Sequence, residues 1–429
     1  MTGAPDRRQS ADLSRLMRED ADCRKKARDL VRKFLDRAAE LEGIARQESV
    51  PLYLFEPAVL RDRARSFLDA FRQRLPAFEA FFAVKCNNHP QVAAEAVRSG
   101  LGLDVSSGLE LKLALETGCR RILFSGPGKT EEELDLAAAH HERVTVLMDS
   151  FGELDRLTNA AQRAAVEITS GVRLTTQEEG LWRKFGIPLS DLETFLDRAA
   201  GCPGVLLRGL QFHTSWNLTP EAQTGFIRRL GDVWRDLDPV HGNRLEFLDI
   251  GGGYWPRDGE WLLTEEIRSP GGGSGVRGSR CLEAASIEDF AREISRTLHD
   301  RIFPFSSPAV YAEPGRWIVN DAMHIMIRVA DRKADDLVVT DAGTNIVGWE
   351  RYETDYVPVI NLSRPSLDEH PCLIAGSLCT PHDVWGWSYF GDGIEPGDVL
   401  LLPGQGAYTL SLRQQFIKPS AAFIQLPAQ

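Results

Sequence analysis

One pattern repeats along most of this chain: a short apolar run rich in branched or aromatic residues, a turn, and a segment with helical periodicity. Eight runs predict strands: Phe78–Lys85, Leu101–Val105, Arg121–Phe124, Val144–Met148, Glu167–Leu174, Val205–His213, Leu245–Ile250 and Ala309–Glu313. Strands that alternate with helices form parallel sheets covered by those helices. Eight units favour closure into a (β/α)8 barrel, with an open, doubly wound sheet as the rival architecture.

The segments on either side of this repeat have other patterns. Residues 1–48 predict a helical extension with one buried face. That face contains Leu30, Val31, Phe34, Leu35 and Ala38. Residues 49–318 predict the barrel, with 49–58 as candidates for pairing with the next domain, and residues 319–429 predict a C-terminal β-sandwich or small β-barrel. The glycine-rich stretch 270–280 follows the seventh strand and is expected to be either a lid or a tolerated loop.

Composition limits the partners that this chain is expected to bind. Its net charge of −12 and its scattered lysines and arginines disfavour nucleic acid and an anionic membrane as partners. The N-terminus lacks the apolar core of an export signal and no long apolar stretch follows, so we expect a cytoplasmic protein without a membrane segment. The seven cysteines form no CxxC pair, which predicts free thiols and neither a zinc site nor a disulfide framework.

Polar residues stand at the carboxyl ends of the predicted strands, where barrel enzymes place their active sites. They are Lys85, Asp104, His213, the turn of Gly251, Gly252 and Gly253, Glu313 and Arg316. A lysine, a glycine turn with an arginine, and a carboxylate suit a phosphorylated aldehyde cofactor. Each residue alone has a plainer interpretation, as a surface lysine, a tight turn or a core histidine. Their shared position at the barrel mouth favours one common site.

With these residues in place, the chain resembles the fold-type III pyridoxal-phosphate (PLP)-dependent decarboxylases, the group of ornithine, arginine and diaminopimelate decarboxylases. The resemblance runs from about residue 51 to residue 422. Its segments, in order, are FAVKCNN (82–88), LDVSSGLEL (103–111), KFGI (184–187), LDIGGGY (248–254), EPGR (313–316), Cys379 with Asp383, and GAYT (406–409). It implies the α/β fold of alanine racemase, a (β/α)8 barrel followed by a C-terminal β-domain. It also implies PLP as the cofactor of an amino-acid decarboxylase that releases CO2 and an amine from a diamino or related amino acid.

The resemblance also assigns roles to the mouth residues. Lys85 would hold PLP as a Schiff base, and His213 would stack on the pyridine ring. Glu313 would pair with the ring nitrogen and keep it protonated, so that the ring takes up the electron pair left when CO2 departs. The implied cofactor-binding residues are Lys85, Asp104, His213, Gly251, Gly252, Gly253, Glu313, Arg316 and Tyr408. A racemase of this fold places an arginine at the ring nitrogen, so Glu313 favours decarboxylation.

A second group of residues is implied to act across a subunit boundary. Cys379 resembles the family's cysteine that reaches the site from the partner subunit and manages protonation of the substrate Cα. Its alternative interpretation is a buried structural thiol. Lys184 and Asp383 match a pair that bridges two subunits. The resemblance therefore implies a homodimer with shared active sites, in which Lys85, His213, Glu313 and Cys379 are the catalytic residues.

The sequence departs from the family where the substrate and the phosphate are expected. The family usually has Asp or Glu after the catalytic cysteine to hold a distal amino group, whereas this chain has Thr380. Arg351 lies near the place of an arginine that reads a distal carboxylate in diaminopimelate enzymes, although not in the same register. Thr380, Asp383 and Arg351 are thus the candidate substrate-binding residues. In place of the usual His-x-Gly-Ser, His213 is followed by Thr-Ser-Trp, and Trp216 is expected to change the phosphate wall.

These departures leave the substrate and its stereochemistry at Cα open, and two alternative functions remain. A racemase or epimerase of the same fold would need a second base opposite Lys85. A non-catalytic regulatory relative would have lost active-site residues, whereas this chain retains them.

Overall fold

The structure of this chain is a computed structural model that describes residues 20–263, 279–348 and 356–427. The chain divides into two compact units. One unit contains residues 58–254 and 285–319, and the other contains the described residues that fall within 1–57, 255–284 and 320–429. Within the described residues, no helix is long and apolar enough to cross a membrane.

The described residues form eighteen strands and twelve helices. Strands and helices alternate along most of the chain, and the last part contains mainly strands. The strands are β1 Leu52–Phe55, β2 Phe78–Ala83, β3 Gly102–Val105, β4 Ile122–Phe124, β5 Val144–Met148, β6 Ile168–Leu174, β7 Val205–Phe212, β8 Phe247–Asp249, β9 Glu260–Leu263, β10 Ser279–Leu282, β11 Ala309–Ala312, β12 Met323–Ala334, β13 Leu337–Thr340, β14 Ile360–Asn361, β15 Glu369–Ala375, β16 Val384–Phe390, β17 Val399–Leu402 and β18 Ala422–Gln425. The helices are α1 Asp20–Leu35, α2 Ala38–Gln47, α3 Pro57–Arg72, α4 Pro90–Arg98, α5 Gly108–Glu116, α6 Glu131–Ala139, α7 Phe151–Ala164, α8 Leu192–Ala200, α9 Glu221–Asp236, α10 Pro239–Gly242, α11 Ile287–Arg301 and α12 Arg316–Val319.

Eight parallel strands close into the predicted barrel, in the order β11-β2-β3-β4-β5-β6-β7-β8. Strand β11 completes the ring, because Val310 pairs with Phe78 of β2 and Tyr311 pairs with Asp249 of β8. The prediction of a closed barrel is therefore confirmed, and the open sheet is excluded. The strands end slightly earlier than predicted. After Ala83, for example, the chain turns into a short 3-10 helix, Val84–Cys86, so that Lys85 lies just beyond the hydrogen-bonded ladder.

Side chains fill the barrel below its mouth. Phe81, Leu123, Leu147 and Phe247 form one buried apolar cluster from strands β2, β4, β5 and β8. Gly209 makes room for it, since a Cβ there would lie 2.2 Å from the ring of Phe247. The barrel is thus a packed core rather than a pore, and chemistry is confined to the loops at its ends.

The second unit is built around a separate sheet with the strand order β13-β15-β16-β14-β17-β12-β1-β18. Strand β1 pairs antiparallel with β12, with Leu52 opposite Met326. The N-terminal segment forms two helices, and Val31, Leu41 and Ala45 from them share one apolar cluster with the sheet. The predicted domains 1–48, 49–318 and 319–429 stay a prediction, and the contacts differ from them in grouping residues 255–284 with this sheet.

The prediction that all cysteines are free thiols is wrong for one pair. Cys23 of α1 and Cys281 of β10 form a disulfide across 258 residues, and both are buried. The other described cysteines are thiols outside any disulfide, namely Cys86, Cys119, Cys202, Cys372 and Cys379. The helix and the hairpin that hold the pair are adjacent only in the folded unit, so no spacing in the sequence indicates it.

Candidate active site

Lys85 lies at the barrel mouth in contact with a buried carboxyl group. Its Nζ donates a hydrogen bond of 2.9 Å to Oδ2 of Asp104, which is fully buried at the end of β3. The other oxygen of Asp104 accepts from the hydroxyl of Ser125. About a third of the Lys85 side chain (34%) is exposed, so the amine is held in place but remains reachable from solvent.

Burial, together with the charge of Glu313, raises the pKa of Asp104, and the Lys85 ammonium acts against this rise. Nearby, Glu110 is also buried, and its Oε2 accepts from the backbone N–H of Ser106 at 2.7 Å. Burial raises the pKa of Glu110 as well. Sequence reasoning missed both Ser125 and Glu110. Glu110 lies three residues after Ser107 at the start of α5, where its sequence is that of an ordinary helix cap.

Glu313 follows β11 and is almost completely buried, at 2% exposure. Its Oε1 accepts from Nε2 of Gln211 at 3.1 Å, and its Oε2 lies 3.3 Å from Nδ1 of His213. Burial alone would raise the pKa of Glu313, but the contact with His213 and the charge of Lys85 outweigh it and lower the pKa to about 2. Glu313 therefore remains a carboxylate at neutral pH. Burial lowers the pKa of His213 against the opposing effect of Glu313.

His213 has two competing contacts through the same nitrogen. The backbone nitrogen of Gly252 lies 3.2 Å from Nδ1 of His213, and Oε2 of Glu313 lies 3.3 Å from the same Nδ1. A ring nitrogen either accepts or donates, so its tautomer selects one of the two contacts. When Nδ1 carries the proton and donates to Glu313, the N–H of Gly252 is left for another acceptor.

The turn of Gly251, Gly252 and Gly253 comes directly after β8 and fits only glycine. Gly251 and Gly253 have φ of +67° and +84°, in the left-handed region. A Cβ on Gly252 would lie 2.3 Å from the carbonyl oxygen of Glu313. Backbone N–H groups in such a tight turn can approach an anion closely. Arg316 is the first residue of α12, follows the neighbouring strand β11, and is half-buried.

The structure thus brings together the mouth residues that the sequence predicted. Asp104 lies within β3, and Lys85, His213, the glycine turn and Glu313 follow strands β2, β7, β8 and β11. These five strands are consecutive around the barrel. Sequence reasoning missed Gln211 and Asp249, which lie within or at the end of β7 and β8. The alternation of side chains along β7 places Gln211 on the same face as His213, and this is the signal that could have found it.

Trp216 lies in a left-handed backbone conformation that is strained for a residue with a side chain. It has φ of +52° and is 46% exposed. The buried Asn217 holds the turn that follows His213. Its Nδ2 donates to Oγ1 of Thr214 and to the carbonyl of Gly252, both at 2.9 Å. Sequence reasoning missed Asn217. The effect of Trp216 on a phosphate wall stays a prediction.

The other predicted residues belong to the second unit. Cys379 is exposed on the turn between β15 and β16, which excludes the buried structural thiol. Thr380 beside it is half-buried. Tyr408 is half-buried and has φ of +56°, a strained conformation for a residue with a side chain. Arg351 lies outside the described residues.

Asp383 anchors the turn that carries Cys379. Its Oδ1 accepts from the backbone N–H of Thr344 at 2.7 Å and from that residue's hydroxyl at 2.9 Å, and its Oδ2 accepts from the N–H of Leu378 at 2.6 Å. The side chain is 2% exposed. These contacts direct the carboxylate into its own unit, while its predicted roles in substrate binding and in a subunit bridge with Lys184 stay predictions.

The residues at the barrel mouth fit a phosphorylated pyridine aldehyde. They supply the accessible amine of Lys85, a glycine turn with no room for a Cβ atom, and the buried carboxylate of Glu313, which stays ionised. This donor set defines the class of protein as a PLP enzyme with a barrel fold.

Comparison with known proteins agrees with this class. The family model for the pyridoxal-binding domain of the pyridoxal-dependent decarboxylases matches residues 61–320, and the chain belongs to this family. It is a PLP-dependent carboxy-lyase of the diaminopimelate, ornithine and arginine decarboxylase group. The predictions of family, fold and cofactor are therefore confirmed.

Individual relatives are distant but match along most of their length. The diaminopimelate decarboxylase of Methanothermobacter thermautotrophicus is 27% identical, covering 88% of this chain and 86% of that protein. The L-glutamyl-[BtrI acyl-carrier protein] decarboxylase of Niallia circulans is 25% identical, covering 87% of each. The crystal structure of the M. jannaschii diaminopimelate decarboxylase in co-complex with L-lysine shares the fold, with a TM-score of 0.76, 21% identity and 89% of each chain covered.

Replacing Asp383 with Asn should loosen the turn that carries Cys379. An amide can accept from Thr344 with its oxygen, but its NH2 group then faces the N–H of Leu378, which loses its acceptor. A buried donor without a partner costs about 1–3 kcal/mol, so we expect the Cys379 thiol to be alkylated several-fold faster. Mass spectrometry of the Cys379 peptide after timed alkylation measures this rate. Asp392→Asn, at an exposed carboxylate, is the matched control, and equal rates in both variants would contradict the anchoring role.

Proposed function

We propose that this enzyme removes the α-carboxyl group of an amino acid at the mouth of its barrel, with Lys85 as the residue that carries the cofactor. The observation that supports this most directly is the hydrogen bond of 2.9 Å that holds Lys85 against the buried Asp104. Bound PLP supplies an aldehyde for a Schiff base with lysine and a ring that takes up the electron pair left by CO2. The chain's own residues do the remaining work of holding, orienting and moving protons.

In this proposal, Glu313 is the partner of the ring nitrogen. A carboxylate beside that nitrogen favours its protonated form, and Glu313 is suited to the role because its pKa is lowered to about 2. Gln211 holds one of its oxygens at 3.1 Å and fixes its orientation. The nearby Lys85 amine adds a positive charge that favours the same ionised state.

The phosphate is proposed to bind at the turn of Gly251, Gly252 and Gly253, with Arg316 on the adjacent loop. Donation from His213 to Glu313 would release the N–H of Gly252 for a phosphate oxygen, which couples the ring partner to the phosphate cradle. The resemblance adds Tyr408 to this group.

The substrate class follows from Thr380, the residue after Cys379. A neutral threonine cannot balance a distal ammonium group, so we propose that the substrate's far end is not a simple amine, as it would be in ornithine or lysine. The two relatives named above act, by their names, on diaminopimelate and on a glutamyl group carried by a protein. The glutamyl group has an acyl or carboxyl function and no amine at its far end, which fits this proposal, whereas diaminopimelate also has a distal ammonium group that Thr380 could not balance.

The alternative functions differ from decarboxylation in what they release. A racemase would return an amino acid of inverted configuration and no CO2, and it would need a second base opposite Lys85. A non-catalytic relative would bind no PLP, although all the predicted barrel-mouth residues are present in this chain.

Replacing Lys85 with Ala should abolish both the visible absorbance of the Schiff base and the release of CO2, because no other described amine donates to Asp104. An absorbance scan and a CO2-release assay on the purified enzyme measure the two effects. Lys112→Ala, at an exposed lysine on α5, is the control and should change neither. A Lys85→Ala enzyme that kept its absorbance would show that another lysine carries the cofactor.

A substrate screen should favour amino acids with a distal carboxyl or acyl group over ornithine and lysine. The panel contains both hands of diamino, dicarboxylic and aromatic amino acids, and a glutamyl thioester of a carrier protein. Mass spectrometry detects the decarboxylated products, and optical rotation detects any racemisation. Turnover of ornithine or lysine above all other compounds would contradict the inference from Thr380, whereas loss of rotation without CO2 would favour the racemase.

If Cys379 serves the active site of the partner subunit, two inactive variants should complement each other. In a homodimer with shared sites, a mixed dimer of Lys85→Ala and Cys379→Ala subunits contains one site with both residues intact. Mixing equal amounts, with subunit exchange, should restore roughly a quarter of the normal activity. Size-exclusion chromatography with light scattering checks the dimer. No recovery from verified mixed dimers would place Cys379 and Lys85 in the same subunit's site.

A further inference from the structure

Asp249 is a buried carboxyl group for which the proposed function gives no role. It is the last residue of β8 and has no exposed surface. Its Oδ1 accepts a hydrogen bond of 2.8 Å from the backbone N–H of Gly251, two residues further on. Its Oδ2 is buried and accepts no hydrogen bond from any described donor, while the Asp249 side chain is itself hydrogen-bonded to the side chain of Glu313.

The charged groups around Asp249 are already paired with other residues. Lys85 donates to Asp104, and His213 contacts Glu313, so neither contact includes Asp249. The buried Tyr254 hydroxyl accepts from Gln223 at 2.9 Å. The remaining influences on Asp249 are the negative charges of Glu313 and Asp104, which disfavour a third anion, and a side-chain hydrogen bond with Glu313, which requires that one of the two carboxyl groups carries a proton. An ionised carboxylate without a cation is strongly disfavoured in such a site.

These contacts indicate which oxygen carries a proton. The Oδ1 atom accepts a hydrogen bond from the N–H of Gly251 and must keep a lone pair for it. A charged oxygen would need a donor, and no described donor reaches Oδ2, so the proton belongs on Oδ2. Burial, followed by the charge of Glu313, raises the pKa of Asp249 well above its usual value, in agreement with this geometry.

We propose that Asp249 is a neutral carboxylic acid that positions the glycine turn for the cofactor phosphate and leaves Glu313 as the charged partner of the ring. This inference rests on the proposed function. Asp249 is a positioning residue, since it acts on the phosphate through the N–H of Gly251. A neutral acid suits this place because it provides the acceptor for the turn without adding a charge beside Glu313.

If Asp249 is a neutral acid that anchors the turn, substitution by Asn and substitution by Ala should have different effects on cofactor binding. An ionised Asp249 would be expected to tolerate neither substitution. Asp249→Asn keeps an oxygen for Gly251 and is neutral, so it should rescue the turn. Asp249→Ala leaves the N–H of Gly251 without its acceptor and the turn without its anchor. The loss should concern the phosphate group of the cofactor more than its ring.

The experiment titrates the full-length apoenzyme with PLP and with pyridoxal, which lacks the phosphate. We expect Asp249→Ala to weaken PLP binding about 10- to 100-fold while pyridoxal binding changes little, and Asp249→Asn to stay within about threefold of the wild type for both. Asp392→Asn is the control at an exposed carboxyl group. Circular dichroism confirms that each variant is folded.

Infrared difference spectroscopy of the apoenzyme tests the protonation state directly. The wild type should show the C=O band of a protonated carboxyl group at neutral pH, and Asp249→Asn should lose that band. A folded Asp249→Asn variant that binds PLP as weakly as Asp249→Ala, or a spectrum in which the substitution removes only a carboxylate band, would overturn the proposal. If Asp249→Ala does not fold, the Asn variant and the infrared band still decide. A wild type that bound no PLP would refute the proposed function, while the infrared result would still establish the charge of Asp249.

Discussion

The pairing of β11 with both β2 and β8 is the constraint on which the site depends. Val310 pairs with Phe78 and Tyr311 with Asp249, so the last barrel strand joins the first one and the seventh. Lys85, the glycine turn and Glu313 come from distant parts of the sequence, and only this closure makes their strands neighbours. The backbone N–H of Glu313 donates to the carbonyl of Gly251 at 2.9 Å, which extends the closure one step beyond the strands and into the site itself.

The arrangement of charge at the mouth follows from burial. Asp104, Asp249 and Glu313 are all buried carboxyl groups. Among the described residues, Lys85 contacts Asp104 and His213 contacts Glu313. Burial acts on each of them in the same direction, so their differences come from their neighbours. Glu313 has the contacts with His213 and Lys85 that lower its pKa, whereas Asp249 has a backbone N–H and a negative neighbour. Neighbouring groups thus lower the pKa of Glu313, whereas the pKa values of Asp104 and Asp249 are raised.

The sequence predicted the parts of this site that have a periodic or local signal. The eight apolar runs gave the strands, and the residues after them gave Lys85, His213 and Glu313. Gln211 and Asp249 were missed, because a single polar residue in an apolar strand does not indicate whether it faces the barrel interior. Asn217 was missed because its contact with the carbonyl of Gly252 joins two loops that are distant in the sequence. The pair of Cys23 and Cys281 was missed because helix and hairpin meet only through tertiary packing. Register and side-chain direction, which decide all these cases, depend on the closed fold.

The second unit shows how a strained residue is kept in place by contacts around it. Tyr408 has φ of +56° in the loop after β17, and the start of that loop is tied to the sheet, since the N–H of Gly404 donates to Nδ1 of His324 at 3.1 Å. The other nitrogen of His324 lies 2.9 Å from Glu56, which also accepts from Arg37. Because Nδ1 accepts from Gly404, Nε2 must carry the proton, and Glu56 is the acceptor that favours this tautomer. Arg37 lies between the two N-terminal helices, so the N-terminal segment supports, through a chain of hydrogen bonds, the loop in which Tyr408 is strained.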